Sequence, residues 1–385
     1  MHMESSNVNI ISRLIMLILI LLLISAYYCP LYSDISVNAV GDIMMGTLFP
    51  YTTLPPDNGR SLFANTTESL RFGNPDFIFG NLEGAITNYN HTIKDISTGR
   101  AFAFQMPPSY VQYLKDAGFN IVSMANNHAR DFGTKGYYDT RKFLSEAGIS
   151  YIGSKDEIKY FNVRGIKVAW IGFSWFEYSN DILAPKHSVE LIKKAASESD
   201  VVIVSVHAGA EGENALHIKN ANEYFYGENR GNLMAFAHLA IKSGADLVLG
   251  HGPHVPRAIE LYKDRLIVYS LGNFTTYKVF SVTGNKKLVP IIHIEVDNQG
   301  RFIKGKIIPF IQTTFGAYKG IPRYDSSGGV IKLIKKLTNE DIRNSGLIIK
   351  NNGDIVRKCQ IIVNEKSDTS RITNAETTIK GGHND

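Results

Sequence analysis

Residues able to bind a metal ion stand directly after five separate apolar runs of the chain. The residues at these positions are Asp42, Glu83, Asn126, Asn127, His128, His207, His251 and His254. Imidazole and carboxylate groups together form a common ligand set for Zn, Fe and Mn, and an asparagine adds a neutral oxygen. No cysteine belongs to the set, which argues against a structural zinc site built from thiolates. The pattern therefore predicts a site for a divalent metal ion.

Each of these residues also has a purely structural interpretation when it is taken alone. A histidine after a strand is most often a hydrogen-bonded surface residue, Asp42 can cap a turn, and the pair Asn126-Asn127 is typical of turns. The recurrence at five positions favours the joint interpretation. Four other histidines lack this placement and are interpreted as structural or surface residues, namely His187, His217, His238 and His293.

The segments around these residues predict that the strand ends meet. Apolar, strand-like runs alternate with helix-like segments, and several of the latter end in glycine, which favours the left-handed conformation after a helix. Such alternation predicts an α/β fold with a largely parallel sheet, in which sites form outside the carboxyl ends of the strands. Residues 161–173 and 288–310 have the pattern of antiparallel pairs. We therefore expect mixed sheets, two of them packed together.

Composition and charge fit a globular protein and exclude one class of partner. The chain has 385 residues, of which 44% are hydrophobic and 20% charged, and its formal net charge is +5. This charge is small for the length and no nucleic-acid-binding motif is present, so we expect no nucleic-acid partner. The two cysteines, Cys29 and Cys359, exclude a framework of disulfides.

The N-terminal residues predict a membrane anchor. Residues 14–33 carry no charge, and Arg13 precedes them. About 20 apolar residues suffice to cross a bilayer as a helix. Tyr27-Tyr28 after Ala26 makes a poor cleavage site, which favours an uncleaved anchor over the alternative, a cleaved signal peptide. Arg13 places the N-terminus in the cytoplasm and the remainder outside, as expected of a single-pass protein of the cell membrane.

Three regions are expected along the chain. Residues 1–33 would form the anchor and residues 34–315 the domain that carries the site. Residues 316–385 are more polar and would form a C-terminal extension. Its last ~20 residues are expected to be disordered, because they contain too few apolar side chains to bury.

Several segments resemble the motifs of a known family. Within residues 36 to 275 they occur in the family's order, as VGDIMMG, GNLEGAIT, ANNHARDFG, VHAGAE, GHGPHVPRAIE and YSLGNF. The chain thus resembles the CapA proteins, which are bacterial proteins of poly-γ-glutamate capsule synthesis. That family is similar to the calcineurin-like metallophosphoesterases. The resemblance therefore implies an α/β four-layer sandwich of two mixed sheets flanked by helices, with metal at the strand ends.

The resemblance also implies a role for each residue of the site. The implied metal ligands are Asp42, Glu83, Asn127, His207, His251 and His254. His128 would be the catalytic residue, a proton donor close to the leaving group. Substrate contacts are expected from Asn126, Glu211, Arg257 and Asn273.

One departure from the family pattern bears on the number of metal ions. Metallophosphoesterases have Asp-x-His in the first motif, whereas the third residue here is Met44, so one nitrogen ligand is missing. The expected cofactor is therefore one firmly bound divalent ion, with a second held weakly or not at all. The ligand types suit Mn, Fe and Zn alike.

The function that follows is a metal-dependent hydrolase or transferase, anchored in the membrane and facing outward. The resemblance implies poly-γ-glutamate or a similar anionic polymer as substrate, and other membrane proteins of capsule synthesis as partners. The alternative is a non-catalytic, metal-bearing subunit of an export complex that binds the polymer. His128 favours catalysis, because a binding site has no need of a proton donor, whereas Met44 favours the alternative.

Overall fold

A computed structural model describes residues 34–99 and 101–358 of the chain. The predicted anchor at residues 1–33 lies outside the described residues, and so do the C-terminal residues that are expected to be disordered. Within the part of the chain that is described, no helix is both long and apolar enough to cross a membrane.

The described residues form strands and helices in an alternating order. The strands are β1 (Ile35–Met44), β2 (Phe77–Leu82), β3 (Ala85–Ile86), β4 (Gln105–Met106), β5 (Ile121–Ser123), β6 (Ser150–Ile152), β7 (Lys159–Val163), β8 (Ile166–Ser174), β9 (Asn180–Asp181), β10 (Val201–His207), β11 (Tyr224–Phe225), β12 (Glu228–Asn229), β13 (Leu247–His251), β14 (Ile259–Tyr262), β15 (Arg265–Val268), β16 (Asn273–Thr276), β17 (Leu288–Val296), β18 (Phe302–Gln312), β19 (Pro322–Tyr324), β20 (Leu347–Ile349) and β21 (Asp354–Arg357). The α-helices are α1 (Thr67–Leu70), α2 (Val111–Ala117), α3 (Gly133–Glu146), α4 (Pro185–Glu198), α5 (Leu233–Lys242) and α6 (Gly329–Asp341).

Two large mixed sheets account for most of the strands. The first runs β20-β21-β18-β17-β1-β2-β5-β6, with β16 beside β1 and β19 beside β18. The second runs β14-β15-β13-β10-β8-β7, with β9 beside β8. β1, β2, β5 and β6 are parallel in the first sheet, and β8, β10, β13 and β15 are parallel in the second. The predicted mixed α/β fold is confirmed.

The main core lies between the two sheets. Side chains from the first sheet, such as Val37 and Phe79, join Trp170, Ile203 and Leu249 from the second in one buried cluster. Two further clusters cover the outer faces, one with α2 and α3 on the first sheet and one with α4 and α5 on the second. Each helix buries one apolar stripe, as α4 does with Leu191, Ile192 and Ala195. The layers are therefore helix, sheet, sheet and helix.

The segment after residue 315 contributes to the first sheet. β19 pairs with β18, and β21 also pairs with β18. Helix α6 buries Val330, Ile331 and Ile334 in the core between the sheets. The boundary predicted from composition thus falls in the connection between β18 and β19.

The ends of two strands shape the site. β5 ends at Ser123, so Asn126, Asn127 and His128 lie in the loop that follows. The side-chain oxygen of Asn126 accepts a hydrogen bond from the backbone N–H of His128, which closes a turn in place of the strand. β1 continues past Asp42 to Met44.

Candidate metal centre

The first sheet brings Asp42, Asn81 and Asn273 to one level on three neighbouring strands. Asp42 is paired with Asn81 of β2 on one side and with Asn273 of β16 on the other, and the register shifts around it. A bulge of this kind re-aims a side chain within a strand. The close approach of the strands requires Gly41, because a Cβ there would lie 1.9 Å from the carbonyl oxygen of Gly272.

The second sheet presents His207 and His251 side by side. They are the last residues of β10 and β13 and are in register. His254 lies in the turn after β13 with a φ of 59°, a left-handed conformation that costs a non-glycine residue about 1–3 kcal/mol. Backbone strain of this size persists where the surrounding contacts fix the residue. Glu83, directly after β2, completes the set from the first sheet.

Five of the six predicted ligands converge where the two sheets meet. The Oδ2 of Asp42 is 2.9 Å from Nδ1 of His254, and its Oδ1 is 3.6 Å from Nδ1 of His251. The Oε1 of Glu83 is 3.8 Å from Nε2 of His254 and 4.0 Å from Nε2 of His207. Ligand atoms of Asp42, Glu83 and His254 all lie within 4.8 Å of one another. Two ligand atoms that each lie about 2.0–2.2 Å from one ion are at most about 4.4 Å apart, and the four individual distances fall within this limit.

Several polar atoms of the predicted ligands are buried without a hydrogen-bond partner among the described residues. They are both carboxylate oxygens of Glu83, both ring nitrogens of His251, Nε2 of His207 and Oδ1 of Asn127. An unsatisfied buried group of this kind costs about 1–3 kcal/mol, and native structures rarely keep several together. A divalent cation would satisfy carboxylate oxygens and imidazole nitrogens at once. The residues present therefore fit a metal ion.

Burial and mutual charge shift the pKa values of the group in opposite directions. Burial raises the pKa of Glu83 well above its ordinary value, and the neighbouring Asp42 carboxylate raises it further. Burial opposes ionisation of Asp42 too, but the imidazoles of His251 and His254 outweigh it and hold the pKa of Asp42 below its ordinary range.

The pKa values of His207 and His254 are also shifted in opposite directions. Burial lowers the pKa of His207 well below its ordinary value. For His254, the carboxylates of Glu83 and Asp42 outweigh burial and raise the pKa to about 10. A histidine must lose its proton to bind a metal. Binding of an ion at His254 is therefore coupled to release of a proton.

His128 stands beside the group with a hydrogen-bonding arrangement of its own. Its Nδ1 is 2.9 Å from Oδ2 of Asp131 and 3.2 Å from Nζ of Lys94, and that ammonium is 2.5 Å from Oδ1 of Asp131. Burial lowers the pKa of His128 and outweighs the opposing carboxylate of Asp131. The imidazole is thus oriented by a buried carboxylate.

Two adjoining cavities open onto the group. One, of about 380 Å³, is lined in part by His128, Glu211, His254 and Asn273. The other, of about 530 Å³, shares His128 and Glu211 with the first and continues towards Lys94 and Arg230. Glu211 is ion-paired with Arg230 and lies 3.7 Å from Nε2 of His254. Glu211 and Asn273, which the sequence analysis expects to contact substrate, therefore lie next to the candidate metal group.

The structure places Asn126, Asn127 and Arg257 differently from the other predicted residues. Asn126 is fully buried, and its amide donates to Oδ1 of Asn81 and to the carbonyl oxygen of Leu82. Asn127 makes no hydrogen bond or ion pair to the other five predicted ligands, although its Oδ1 is buried.

Arg257 is fully buried, and its guanidinium is bound within the protein. Its guanidinium binds both carboxylate oxygens of Glu223 at 2.8 and 2.6 Å, and its Nε donates to the carbonyl oxygen of Ala215. It therefore holds the loop after β10, which carries Glu211, rather than meeting a substrate.

Three residues of the site were not found by the sequence analysis. Asn81 donates to Oδ1 of Asp42 at 2.8 Å and contacts Nδ1 of His207 at 3.3 Å, so it fixes both side chains. Lys94 and Asp131 frame His128. Asn81 could have been found, because it is a polar residue near the end of the apolar strand β2, two residues before Glu83. Lys94 lies in a loop with no pattern to mark it.

The chain is similar in sequence to a known protein family and to individual proteins. Residues 36–278 match the family described as bacterial capsule synthesis protein PGA_cap. The PGA biosynthesis protein CapA of Bacillus subtilis is 30% identical over 295 residues, which are 70% of this chain and 71% of that protein. The capsule biosynthesis protein CapA of Bacillus anthracis is 29% identical over 281 residues, 66% of this chain and 63% of that protein.

Among solved structures, the chain is similar to the purple acid phosphatase PPD1 of yellow lupin. The TM-score is 0.36 at 10% sequence identity, and the match covers 76% of this chain and 54% of that chain.

Proposed function

The chain belongs to the bacterial capsule synthesis protein PGA_cap family, and on that premise we propose that it acts on an anionic capsule polymer as a metal-dependent hydrolase or transferase. Poly-γ-glutamate or a similar polymer is the proposed substrate, because the relatives in Bacillus are named for its synthesis or for the capsule. The fold we propose for the two-sheet sandwich is the calcineurin-like metallophosphoesterase type.

The observation that carries the proposal is the set of buried, unsatisfied ligand atoms. Asp42, Glu83, His207, His251 and His254 would hold one divalent ion, Mn, Fe or Zn. When bound, such an ion polarises a phosphoryl or acyl oxygen and lowers the pKa of a water ligand to about 7. Asn81 orients two of these ligands through its amide.

The protein's own residues would perform the proton transfer and the binding of substrate. His128 lines the cleft and is oriented by Asp131, so it can give a proton to a leaving group there. Proton transfer by a positioned group contributes about 10²–10⁴-fold in rate. Glu211 and Asn273 would contact the substrate in the cleft.

We further propose that residues 1–33 anchor the protein in the cell membrane and that the domain works outside the cytoplasm, next to other membrane proteins of capsule synthesis. This proposal rests on the uncharged run of residues 14–33. Labelling of single introduced cysteines by a membrane-impermeant reagent on intact cells tests it. Labelling confined to lysed cells would contradict it.

Metal analysis and turnover on the full chain test the enzymatic proposal. We expect the detergent-purified protein to retain a divalent ion after gel filtration and to hydrolyse a generic phosphodiester. His128→Ala should keep the ion and lose about 10²-fold or more in turnover. Glu83→Gln should lose the ion. Loss of neither property in these variants would contradict the proposal.

The second candidate function is a metal-bearing subunit that binds the polymer without cleaving it. The observation that favours it is Met44, which is fully buried at the position where related phosphoesterases have a histidine ligand. In that case the protein holds an ion and binds poly-γ-glutamate, but turns over no ester and no amide. Two measurements separate the candidates, namely the binding of the polymer and the chain length of the polymer after incubation with the protein.

A further inference from the structure

The smaller of the two cavities has an apolar wall and a cation that no carboxylate neutralises. Phe102, Phe104, Val279 and Phe280 form the wall next to His254. Lys286 lines the same cavity. Among residues 34–99 and 101–358, no carboxylate oxygen lies within 4.0 Å of its ammonium nitrogen. This ammonium is therefore available to an anion in the cavity.

The other cations at the cleft are already paired within the protein. Lys94 binds Asp131. Arg230 binds Glu211 and Glu228 and lies between the rings of Trp175 and Phe225. Their charges are balanced by the protein's own carboxylates, so they offer little to a ligand. The contrast singles out Lys286.

The turn that carries Lys286 is held in place. Residues Gly284–Lys287 form one turn of 3-10 helix. Glu213 accepts hydrogen bonds from the backbone N–H of Asn285 at 2.6 Å and of Lys286 at 3.3 Å, and from the side chain of Asn285 at 2.8 Å. A fixed backbone lowers the entropy lost when the side chain binds a ligand.

Asn273 supplies a second unsatisfied group in the same cavity. It is fully buried, and its Oδ1 has no hydrogen-bond partner among the described residues. Its amide donates to the carbonyl oxygen of Lys286 at 3.3 Å, which leaves Oδ1 as an acceptor. The cavity thus offers a cation, an acceptor for an N–H and an apolar wall.

We propose that Lys286 and Asn273 form a recognition subsite for one N-acylated α-amino acid unit beside the candidate metal group. Lys286 binds the α-carboxylate, Asn273 accepts the amide N–H on the same carbon, and the methylenes of the side chain lie on the phenylalanine wall. A γ-linked glutamyl unit has all three features. The inference rests on the proposed function and adds which part of the polymer is recognised, and by which residues.

A ligand-and-variant cycle on the full chain in detergent tests the subsite. Binding of tri-γ-glutamate is measured by calorimetry for the wild type and for Lys286→Met, Lys286→Arg and Lys287→Met. Lys287 lies in the same turn and does not line the cavity, so it is the matched control. The same series is repeated with the α-carboxamide form of the peptide, which has the same shape without the charges.

Lys286→Met is expected to weaken tri-γ-glutamate about tenfold or more and the carboxamide by much less, because only the acid loses a charged hydrogen bond. Lys286→Arg should retain most of the affinity, and Lys287→Met should match the wild type. Equal losses for acid and carboxamide would overturn the carboxylate assignment. A loss in Lys287→Met as large as in Lys286→Met would overturn the subsite.

The role of Asn273 is tested with a depsipeptide in which an ester oxygen replaces the N–H. The wild type should bind it more weakly than the amide, whereas Asn273→Ala should bind the two alike. A preference for the amide that persists in Asn273→Ala overturns this part.

Metal content of Lys286→Met and phosphodiester turnover of the wild type separate this inference from the proposed function. The variant should keep the ion, because Lys286 is not a candidate metal ligand. A variant that keeps the ion and still binds tri-γ-glutamate as the wild type does overturns the subsite alone, whereas a wild type that holds no ion and turns over no phosphodiester overturns the proposed function.

Discussion

Replacing Glu83 by glutamine is expected to change stability in opposite directions with and without metal. In the metal-free protein, ionisation of Glu83 places two carboxylates, its own and that of Asp42, against one protonated imidazole, of His254. Both oxygens of Glu83 lack a hydrogen-bond partner among the described residues. Glutamine keeps the shape and removes the excess charge. Metal-free Glu83→Gln should therefore be more stable than the wild type by about 1–3 kcal/mol.

The pH dependence of this gain has a defined sign. Burial and the Asp42 charge raise the pKa of Glu83 above its ordinary 4.5. A carboxyl with a raised pKa in the folded state contributes stability below its ordinary pKa and loses it as pH rises. The advantage of Glu83→Gln should thus be small near pH ~4 and grow towards neutral pH.

Saturating metal should reverse the order of stability, so that the wild type becomes more stable than Glu83→Gln. An ion bound only by the folded wild type stabilises it by about 4 kcal/mol at a thousandfold excess over Kd. Glu83→Gln loses a charged ligand and leaves a net positive charge in the buried group, so it gains much less.

Thermal unfolding in chelator and in saturating Mn²⁺ or Zn²⁺ measures both differences. Glu260→Gln is the matched control, because Glu260 is also buried but is hydrogen-bonded by His238 and Tyr269. It should be destabilised to a similar extent in both conditions. A Glu83→Gln protein that is destabilised in chelator as much as in metal would refute the reasoning.

Three further predictions concern the stability of other residues and the number of bound ions. Burial, partly offset by Arg265, raises the pKa of Asp246 to about 6. The stability of Asp246→Asn, measured by urea unfolding, should therefore rise relative to that of the wild type by up to about 3 kcal/mol between pH ~4 and pH ~7. Arg257→Met leaves Glu223 without its partner and should cost about 3–5 kcal/mol in the same assay, with partial recovery in the double variant that adds Glu223→Gln. On the proposed metallophosphoesterase-type fold, Met44 takes the position of a histidine ligand, so metal titration should give one tightly bound equivalent. Two equal tight sites would contradict this expectation.

The convergence of the site was predictable from the sequence because parallel strands place their carboxyl ends at the same edge of a sheet. His207 and His251 end strands of this type, Glu83 and His254 follow them, and Asp42 lies two residues before the end of β1. Their separation along the chain does not matter, since strands that are distant in sequence pair side by side, as β1 and β16 do.

The contacts around the ligands were not predictable in the same way. Asn81 meets both Asp42 and His207 only because β1 and β2 pair in a particular register and the two sheets face each other. Asn126 follows an apolar run as Asn127 does, yet its side-chain amide donates its hydrogen bonds to groups inside the protein. Arg257 belongs to a motif next to the site, but its burial and its pairing with Glu223 depend on the fold of a distant loop. Residue type indicates which chemistry is possible, whereas strand register and burial decide which residue performs it.

The charges of the cleft link polymer binding to the metal. Lys94 and Arg230 are balanced by carboxylates of the protein, so in the metal-free state the buried Asp42–Glu83–His254 group leaves the cleft without a positive excess near its centre. An anion would gain no attraction at that point. A divalent ion raises the net charge there by one, because it adds two positive charges and displaces one proton from His254. Binding of an anionic polymer and binding of the metal must then strengthen each other by the same factor, since coupling between two equilibria is reciprocal.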